Sequence, residues 1–312
     1  MQPPPPFSLR CGTAGWDYSH WHRIVYPSLK SRDFHPLEYL SSFVDVIEIN
    51  TSFYQMLKPE ITRLWIQKVA HNPQFRFTAK LNQRFTHQRA LETAQVAGFQ
   101  DGLRPLQQSG KLGCVLMQFP WSFRFTAENR EYFIKLRRTF HSFPLVAEMR
   151  HASWMSDEAL ATFVDYHVGF VNIDQPRYVK AMPPTSFLTS SIGYVRLHGR
   201  NNEHWFREYS RPAEGAHRYD YLYSPSELAE WKHRIERIRG SAAETYVITN
   251  NDAAGKAVVN ALQLQAMLGV SKRPAPQDLY TRYANELKGF VERPRQETLF
   301  AMPGPPMSKA VA

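Results

Sequence analysis

The feature that most constrains the fold is a repeated alternation of short apolar runs with helical patterns. Eight runs rich in Val, Ile and Phe have strand length rather than helix length. They are Leu9–Gly15, Val44–Phe53, Phe75–Asn82, Gly113–Pro120, Pro144–His151, Gly169–Gln175, Ile192–Gly199 and Glu244–Asn251. Strands that alternate with helices form a parallel sheet with helical crossovers. Eight such units in 312 residues predict an α/β fold, a parallel β/α barrel resembling the TIM barrel.

Predicted helices separate most of the predicted strands, and several of these helices follow a residue that commonly caps a helix. The predicted helices with their start signals are Ile61–Ala70 after Pro59-Glu60, Glu128–Phe140 after Thr126, Ala159–Tyr166 after Ser156, Glu227–Ile238 after Ser224-Pro225, and Ala253–Leu268 after Asp252. A further helical stretch, Gln88–Gln108, is interrupted by Gly98 and Gly102.

A doubly wound open sheet is the alternative architecture. The first strand continues as CGTAGWDY and carries no GxGxxG motif, so a classical dinucleotide site has no support. The predicted barrel domain spans residues 8–270. Residues 271–290 are predicted to form a hinge and one helix, Asp278–Phe290, and residues 291–312 a disordered tail.

The N-terminus, MQPPPPFSLR, lacks the apolar region of a signal peptide, and no uncharged apolar run approaches the length of a membrane span. Cys11 and Cys114 lie in apolar runs and are predicted to be reduced and buried. These features predict a cytoplasmic protein.

The formal net charge of +10 favours an anionic partner or substrate, nucleic acid included.

The alternation of side chains within the strands predicts a functional site. Residues two apart share one face of a strand, and polar residues occupy one face toward the carboxyl end of nearly every strand. In a barrel this face is the lumen, and barrel enzymes carry their chemistry at that end. The predicted upper lumen contains Glu48, Asn50, Lys80, Asn82, Gln118, Glu148, Arg150, Asp174, Arg196, His198 and Asn250.

These residue types indicate both acid–base chemistry and anion binding. Glu148 and His198, with Glu48 and Asp174, are the candidate catalytic residues, because proton transfer at neutral pH suits His or a carboxylate with a raised pKa. Lys80, Arg150 and Arg196 are candidate ligands of phosphate or carboxylate. The other predicted substrate contacts are Asn50, Gln118 and Asn250, together with Trp16 and Tyr54 in the loops.

Two alternatives for the same residues remain open. The charges could pair across the lumen and hold it closed, although buried ion pairs are poor stabilising devices. The four candidate catalytic residues could instead ligate a divalent metal, against which the neighbouring Lys and Arg charges argue.

Aromatic and basic residues are frequent in the loops that follow the strands. Trp16 lies in the first loop, Tyr54 follows the second strand, and the longest loop, Arg200–Tyr223, contains six aromatic residues. Aromatic rings beside arginines can stack on bases and bind phosphates. The same rings could pack as a plug over the barrel, so a ligand-facing lid and a plug both remain open.

Several ordered motifs resemble the YecE-like family, domain of unknown function 72. They span residues 8–270 and comprise Gly12-Thr13-Ala14-Gly15-Trp16, Glu48-Ile49-Asn50-Thr51-Ser52-Phe53-Tyr54, Phe77-Thr78-Ala79-Lys80, Leu116-Met117-Gln118-Phe119-Pro120, Glu148-Met149-Arg150-His151-Ala152-Ser153-Trp154, Arg196-Leu197-His198-Gly199-Arg200, Tyr219-Asp220-Tyr221-Leu222-Tyr223-Ser224 and Asn250-Asn251-Asp252. The resemblance implies a TIM-barrel-like fold and supplies no established reaction.

The tail contains a peptide that resembles the Gln-x-x-Leu-Phe motif with which bacterial proteins dock on the DNA sliding clamp. Gln296, Leu299 and Phe300 are the candidate partner-binding residues. Leu and Phe would fill an apolar pocket, and a disordered tail can present such a peptide. The alternative is that Leu299 and Phe300 pack on the barrel.

Three functional hypotheses follow from the sequence. The leading one is a barrel enzyme acting on an anionic, phosphate-bearing substrate, with nucleic acid among the candidates and the clamp as a recruiting partner. The second is a non-catalytic accessory protein that binds nucleic acid. The third is a metal-dependent isomerase or hydrolase of small sugars, in which a divalent metal would be the cofactor.

Overall fold

The computed structural model describes residues 8–28, 32–205, 218–270 and 273–294. Eight parallel strands pair in chain order, and β8 pairs with β1 to close the barrel. The strands are β1 (Ser8–Ala14), β2 (Val46–Ile49), β3 (Arg76–Lys80), β4 (Leu112–Gln118), β5 (Leu145–Glu148), β6 (Gly169–Asp174), β7 (Ile192–Leu197) and β8 (Glu244–Thr249). The predicted barrel is confirmed, and each predicted run contains most of one strand. The polar residues at the ends of several runs lie just beyond the strands.

Helices cover the outside of the barrel, and four of them begin at or next to their predicted start signals at Pro59, Thr126, Ser156 and Ser224. The predicted Gln88–Gln108 helix begins at Thr93, and the predicted Ala253–Leu268 helix begins at Lys256. The helices are α1 (Pro36–Leu40), α2 (Thr51–Tyr54), α3 (Pro59–Lys68), α4 (Gln83–Thr86), α5 (Thr93–Gln108), α6 (Ala127–Thr139), α7 (Asp157–Asp165), α8 (Pro225–Arg239), α9 (Lys256–Met267), α10 (Gln277–Arg282) and α11 (Ala284–Leu287). Thr126, Ser156 and Ser224 cap α6, α7 and α8 through their side-chain oxygens. Asp252 makes no such bond and precedes a short 3₁₀ turn, Ala253–Gly255.

Helix α5 contains both glycines that interrupt its sequence pattern. A methyl group on Gly102 would lie 2.3 Å from the Leu57 carbonyl oxygen, whereas Gly98 has open space around it. The Thr62 hydroxyl also donates to the Gly102 carbonyl at 2.9 Å, which joins α3 to α5. Gly102 therefore permits two helices to approach closely, and its low helix propensity is offset by that packing.

One connection between strands departs from the alternation. Residues 175–191 join β6 to β7 without a helix, and they cover the outer face of β6 in extended form. The Asn172 side-chain nitrogen donates to the backbone carbonyl of Phe187. The Asn172 side-chain oxygen accepts from the Thr185 hydroxyl and from the backbone N–H of Phe187. The Phe187 ring packs edge-on against Phe170. The outer face of β6 is therefore partly polar.

The C-terminal segment packs on the barrel and differs from its predicted form. Instead of one helix over Asp278–Phe290, α10 and α11 are separated at Tyr283, whose backbone is not helical. Within the predicted hinge, Arg273 donates to both Asp45 oxygens at 2.9 Å, and Pro274 pairs with Glu292 in an isolated bridge. The predicted clamp-binding peptide at residues 296–300 lies outside the described residues.

Two other sequence predictions can be compared with the fold. Cys11 and Cys114 are buried and free, as predicted. No helix in the described part of the chain is long and apolar enough to cross a membrane.

Candidate functional site

A buried ion-pair network around Arg196 occupies the centre of the barrel's carboxyl end. The Arg196 guanidinium donates to Glu48 Oε1 at 2.7 Å and to Glu148 Oε2 at 2.5 Å, and all three side chains are almost completely buried. The other Glu48 oxygen accepts from the Tyr194 hydroxyl at 2.9 Å. The predicted inward orientation of these charged residues is confirmed. Their mutual pairing agrees with the alternative in which charges hold the lumen closed.

Glu148 has a second cationic partner at the rim of this network. Its Oε1 lies 2.6 Å from Arg150 Nε, and Arg150 also donates to the Gln175 side chain at 2.8 Å. Burial alone would raise the pKa of Glu148, but Arg150 and Arg196 hold it well below the ordinary carboxyl value. Glu148 is therefore a permanent anion near neutral pH and is unsuited to donate a proton.

His198 is buried beside the same carboxylate. Asn250 accepts from Arg196 through Oδ1, so its amide nitrogen faces His198 Nδ1, at 3.0 Å. We assign the proton to His198 Nε2, which lies 3.5 Å from Glu148 Oε2. Burial, with Arg150 nearby, holds the pKa of His198 well below its ordinary value. With Nδ1 engaged and Nε2 protonated, the neutral ring has no vacant nitrogen to act as a base.

Among the upper-lumen cations, Arg150 and Arg196 each form an ion pair with a carboxylate, and Lys80 forms none within the part of the chain that the structure describes. Lys80 Nζ has no hydrogen bond or ion pair among the described residues and lies 4.5 Å above the Phe53 ring. Burial and the Arg196 guanidinium lower the pKa of Lys80 to about 8. At neutral pH the two carboxylates Glu48 and Glu148 carry −2 and the three cations Lys80, Arg150 and Arg196 carry +3. These five side chains therefore have a net charge of +1.

Asp174 does not lie in the lumen, and that sequence prediction is wrong. Strand pairing aligns Asp174 with Leu197, whose side chain packs toward α8, while Ile173 aligns with Arg196. The Asp174 carboxylate accepts from Arg200 at 2.8 Å, on the outer side of the barrel. The sequence pattern assigned polar residues to the lumen, but on β6 the polar face is the outer one.

The other predicted contacts divide between the mouth and the scaffold. Asn82 caps α4 through a bond from the Arg84 amide, so it has a structural role in place of a lumen position. Trp16 is buried, with its ring centre 5.0 Å from that of Trp65 on α3. Tyr54 is 70% exposed at the mouth. Asn50 donates weakly to the Tyr18 hydroxyl, at 3.4 Å, and its buried Oδ1 has no hydrogen-bond partner among the described residues.

Two neighbouring cavities open at the mouth. The first, which we name the polar chamber, has a volume of about 310 Å³, and its walls are formed by Tyr18, His20, Asn50, Tyr54, Lys80, Gln118, Arg196, Tyr219, Asn250 and Asp252. The Asp252 carboxylate in this wall lies 3.7 Å from His20 Nε2. The second, the aromatic chamber, has a volume of about 680 Å³, and its walls include Phe119, Trp121, Tyr178, Trp205, Arg218 and Tyr219. Gln118 and Tyr219 line both chambers, so the two are contiguous.

The donor set does not fit the metal hypothesis. Within the ranges described, no group of three His, Cys, Asp or Glu side chains is arranged to hold a metal ion. Glu48 and Glu148 are each bound to a guanidinium, His198 Nδ1 is engaged by Asn250, and Asp174 is on the other side of the strand wall.

Sequence reasoning missed several residues of the site. Tyr194 and Thr78 form the floor beneath Glu48, joined by a 2.8 Å bond between their hydroxyls. Their inward orientation follows from the same alternation that identified Arg196 and Lys80. Trp121 and Tyr178 were also not singled out, although both follow the ends of strands. Tyr178 lies in the helix-free connection after β6, a segment that no residue pattern marked as part of the site.

Comparison with known proteins gives a consistent result over the barrel. A family model described as "Protein of unknown function DUF72" matches residues 10–281. The UPF0759 protein YunF of Bacillus subtilis (strain 168) is 27% identical over 272 residues, which are 83% of this chain and 94% of that protein. Two crystal structures of DUF72 proteins are similar. The Thermotoga maritima MSB8 protein has 31% identity, a TM-score of 0.72 and coverage of 84% and 99% of the two chains. The Enterococcus faecalis V583 protein has 26% identity, a TM-score of 0.73 and coverage of 84% and 96%.

Proposed function

The chain belongs to the DUF72 family of proteins of unknown function, and we propose that it is an enzyme whose barrel mouth binds an anionic, phosphate-bearing substrate. The observation that carries the proposal is the position of Lys80. It is a cation in a cavity at the carboxyl end of the barrel, without a carboxylate partner among the described residues. An anionic group in the polar chamber would supply the missing counter-charge.

Neutral donors around Lys80 support phosphate as that anion. Gln118 and Asn250 line the polar chamber and carry amide N–H groups, whereas the Tyr18 hydroxyl at the same wall already donates to the Ala14 carbonyl. A phosphate group offers several acceptor oxygens, so one ammonium and a few neutral donors suit it. Arg196 reaches this chamber, but its charge is already shared between two carboxylates.

Lys80 is also better suited to proton transfer than the residues that the sequence favoured. A general acid or base works best with a pKa near the operating pH, and the pKa of Lys80 is about 8. Glu148 is held as an anion by Arg150 and Arg196, and His198 has both ring nitrogens engaged. Glu148 and His198 hold the network beneath Lys80, and Lys80 is the group that we propose for proton transfer to or from a bound substrate.

The test is the binding of ribose 5-phosphate to the intact protein and to a Lys80→Met variant, measured by calorimetry. Methionine keeps an unbranched side chain over Phe53 and removes the charge. We expect at least a tenfold loss of affinity, since a charge-assisted contact to phosphate contributes about 1.5–3 kcal/mol. Lys232→Met, which removes a positive charge on α8 near Glu236, is the matched control and should bind as the unaltered protein does.

Two results would refute the proposal. The first is the absence of millimolar or tighter binding by the unaltered protein. The second is equal affinity in Lys80→Met, with circular dichroism showing an intact fold. Charge reversal at Arg196 is a poorer test, because it would leave Glu48 and Glu148 buried without a cation and unfold the barrel.

The proposal includes recruitment to a DNA sliding clamp through Gln296, Leu299 and Phe300, and with it a cytoplasmic location. Its support is the sequence motif Gln-x-x-Leu-Phe near the end of the chain. The clamp would bring the barrel to a phosphate-rich polymer and its breakdown products, which agrees with an anion-binding mouth and with a net charge of +10.

A further inference from the structure

We propose that the aromatic chamber is a nucleobase subsite, so that the substrate is a nucleoside phosphate or a nucleotide unit of a longer strand. The inference rests on the proposed function, because it requires the phosphate group to lie in the polar chamber. It adds the chemical class of the remainder of the substrate, which anion binding alone leaves open.

The rings of the aromatic chamber come from three separate loops and converge on one space. Trp121 follows β4, Tyr178 follows β6, and Trp205 and Tyr219 belong to the long loop after β7. The Trp121 and Tyr178 ring centres are 6.5 Å apart, and those of Trp205 and Tyr219 are 6.2 Å apart. Trp121 is 36% exposed, so part of its ring surface is accessible to a ligand. Aromatic rings bind bases of any sequence by stacking.

Polar groups distinguish this chamber from a site for a purely apolar ring. Gln118, Ser122 and His87 place an amide, a hydroxyl and an imidazole in its walls. Burial, followed by the charge of Lys80, lowers the pKa of His87, so the imidazole is neutral. His87 Nδ1 already lies 2.9 Å from the Thr86 hydroxyl, which leaves Nε2 as the nitrogen that can bind a ligand. A phenyl ring would leave such groups without partners, whereas the edge of a nucleobase carries both donors and acceptors.

Arginine side chains add a second preference for a base. The Arg218 guanidinium carbon lies 4.2 Å from the Trp205 ring centre and that of Arg150 lies 5.8 Å from it. Both arginines line the aromatic chamber. A planar guanidinium can stack on a base and donate to its ring nitrogens and carbonyl oxygens.

The contiguity of the two chambers matches the layout of a nucleotide. Gln118 and Tyr219 line both, with Lys80 in the polar chamber and Trp121 in the aromatic chamber. A nucleotide likewise has a planar base and a phosphate group joined by a sugar. The volume of about 680 Å³ lies within the usual range for small-molecule sites, about 300–1,000 Å³. Inorganic phosphate or a sugar phosphate would occupy the polar chamber alone.

The experiment compares the 5′-monophosphates of adenosine, guanosine, cytidine and uridine with ribose 5-phosphate by calorimetry on the full chain. We expect at least one nucleotide to bind about tenfold more tightly than ribose 5-phosphate, since stacking of one base contributes about 1–3 kcal/mol. Trp121→Ala should remove that advantage and leave ribose 5-phosphate affinity within about twofold. Trp121→Phe should retain most of the advantage, and Leu64→Ala, a truncation of an exposed residue on α3, should retain all of it.

The outcomes separate this inference from the proposed function. Binding of all five compounds with equal affinity would overturn the nucleobase subsite and leave phosphate binding intact. A nucleotide preference that persists in Trp121→Ala would also overturn it, because the base would then bind elsewhere. Absence of binding by ribose 5-phosphate and every nucleotide would overturn both.

Discussion

Lys80 shows how a residue's surroundings set its chemistry at this mouth. On an exposed helix its ammonium would stay mostly charged up to about pH 10. Here burial and the Arg196 guanidinium lower its pKa to about 8, while Glu48 and Glu148 are committed to the arginines. The residue is mostly charged at pH 7 and mostly neutral at pH 9. Its protonation therefore changes across the range in which enzymes are assayed.

The affinity for a phosphate monoester should consequently fall above about pH 8. Binding requires the ammonium form, so the association constant should approach a tenfold loss per pH unit on the alkaline side. Near pH 7 most of the ammonium is charged, and a phosphate monoester stays largely dianionic down to its second pKa of about 6. Calorimetric titrations of ribose 5-phosphate from pH 6.5 to about 9.5 would measure the profile.

Lys80→Arg is the control for this pH dependence. A guanidinium keeps its charge throughout the range, so the decline above about pH 8 should disappear even if the affinity changes. An identical alkaline decline in both proteins would assign the titration to another group and contradict the role of Lys80.

The residues of the mouth were predictable where strand alternation applied, and their pairing was not. Period-two alternation placed Glu48, Glu148 and Arg196 on one face, because a strand turns successive side chains to opposite sides. It could not show that Arg196 binds both carboxylates or that Asn250 engages His198 Nδ1. Those contacts join strands far apart in the chain, and they depend on side-chain length and registration across the closed barrel.

At the scale of elements, β6 shows why a polar alternation is ambiguous. A strand packed beneath a helix has an apolar outer face, which is the assumption that placed Asp174 in the lumen. The connection after β6 is extended, so Asn172 hydrogen-bonds to its backbone, and Asp174 pairs with Arg200 at the start of the long loop. The inner face of β6 is apolar, with Val171 and Ile173. The identity of the covering segment therefore decides which face is polar.

Helix α5 offers a matched pair of substitutions with opposite expected effects. Gly98→Ala should stabilise the protein by about 0.8–1 kcal/mol, because alanine has a much higher helix propensity and the site is open. Gly102→Ala should destabilise it by about 1–3 kcal/mol, because the added methyl group would force α5 away from the Leu57 carbonyl. The free energy of unfolding in urea measures both. Equal effects at the two positions would contradict the close approach of α3 and α5.

At the scale of the whole molecule, the barrel closes without leaving an unpaired sheet edge, and its two contiguous chambers share the end at which the strands finish. The C-terminal segment contacts the barrel at two places. The Tyr283 hydroxyl donates to the Ala254 carbonyl in the turn after β8, and Arg273 binds Asp45 in the loop that precedes β2. Because Asp45 precedes a strand that leads toward the mouth, the contact between Arg273 and Asp45 lies at the amino end of the barrel. The clamp-binding peptide proposed at residues 296–300 follows this segment in the sequence.

Binding to a bacterial DNA sliding clamp tests this arrangement. We expect the full chain to bind in the micromolar range, measured by surface plasmon resonance, and the double substitution Leu299→Ala/Phe300→Ala to weaken binding at least tenfold. Removal of two buried apolar side chains costs about 1.5–3 kcal/mol each, which is more than that factor requires. Glu297→Ala/Thr298→Ala, at the two variable positions of the motif, should bind as the unaltered protein does. Lys80→Met should also bind normally, because the mouth and the peptide act separately. Absence of binding, or equal binding by the Leu299 and Phe300 variant, would remove the clamp from the proposal and leave nucleotide binding to be judged on the chambers alone.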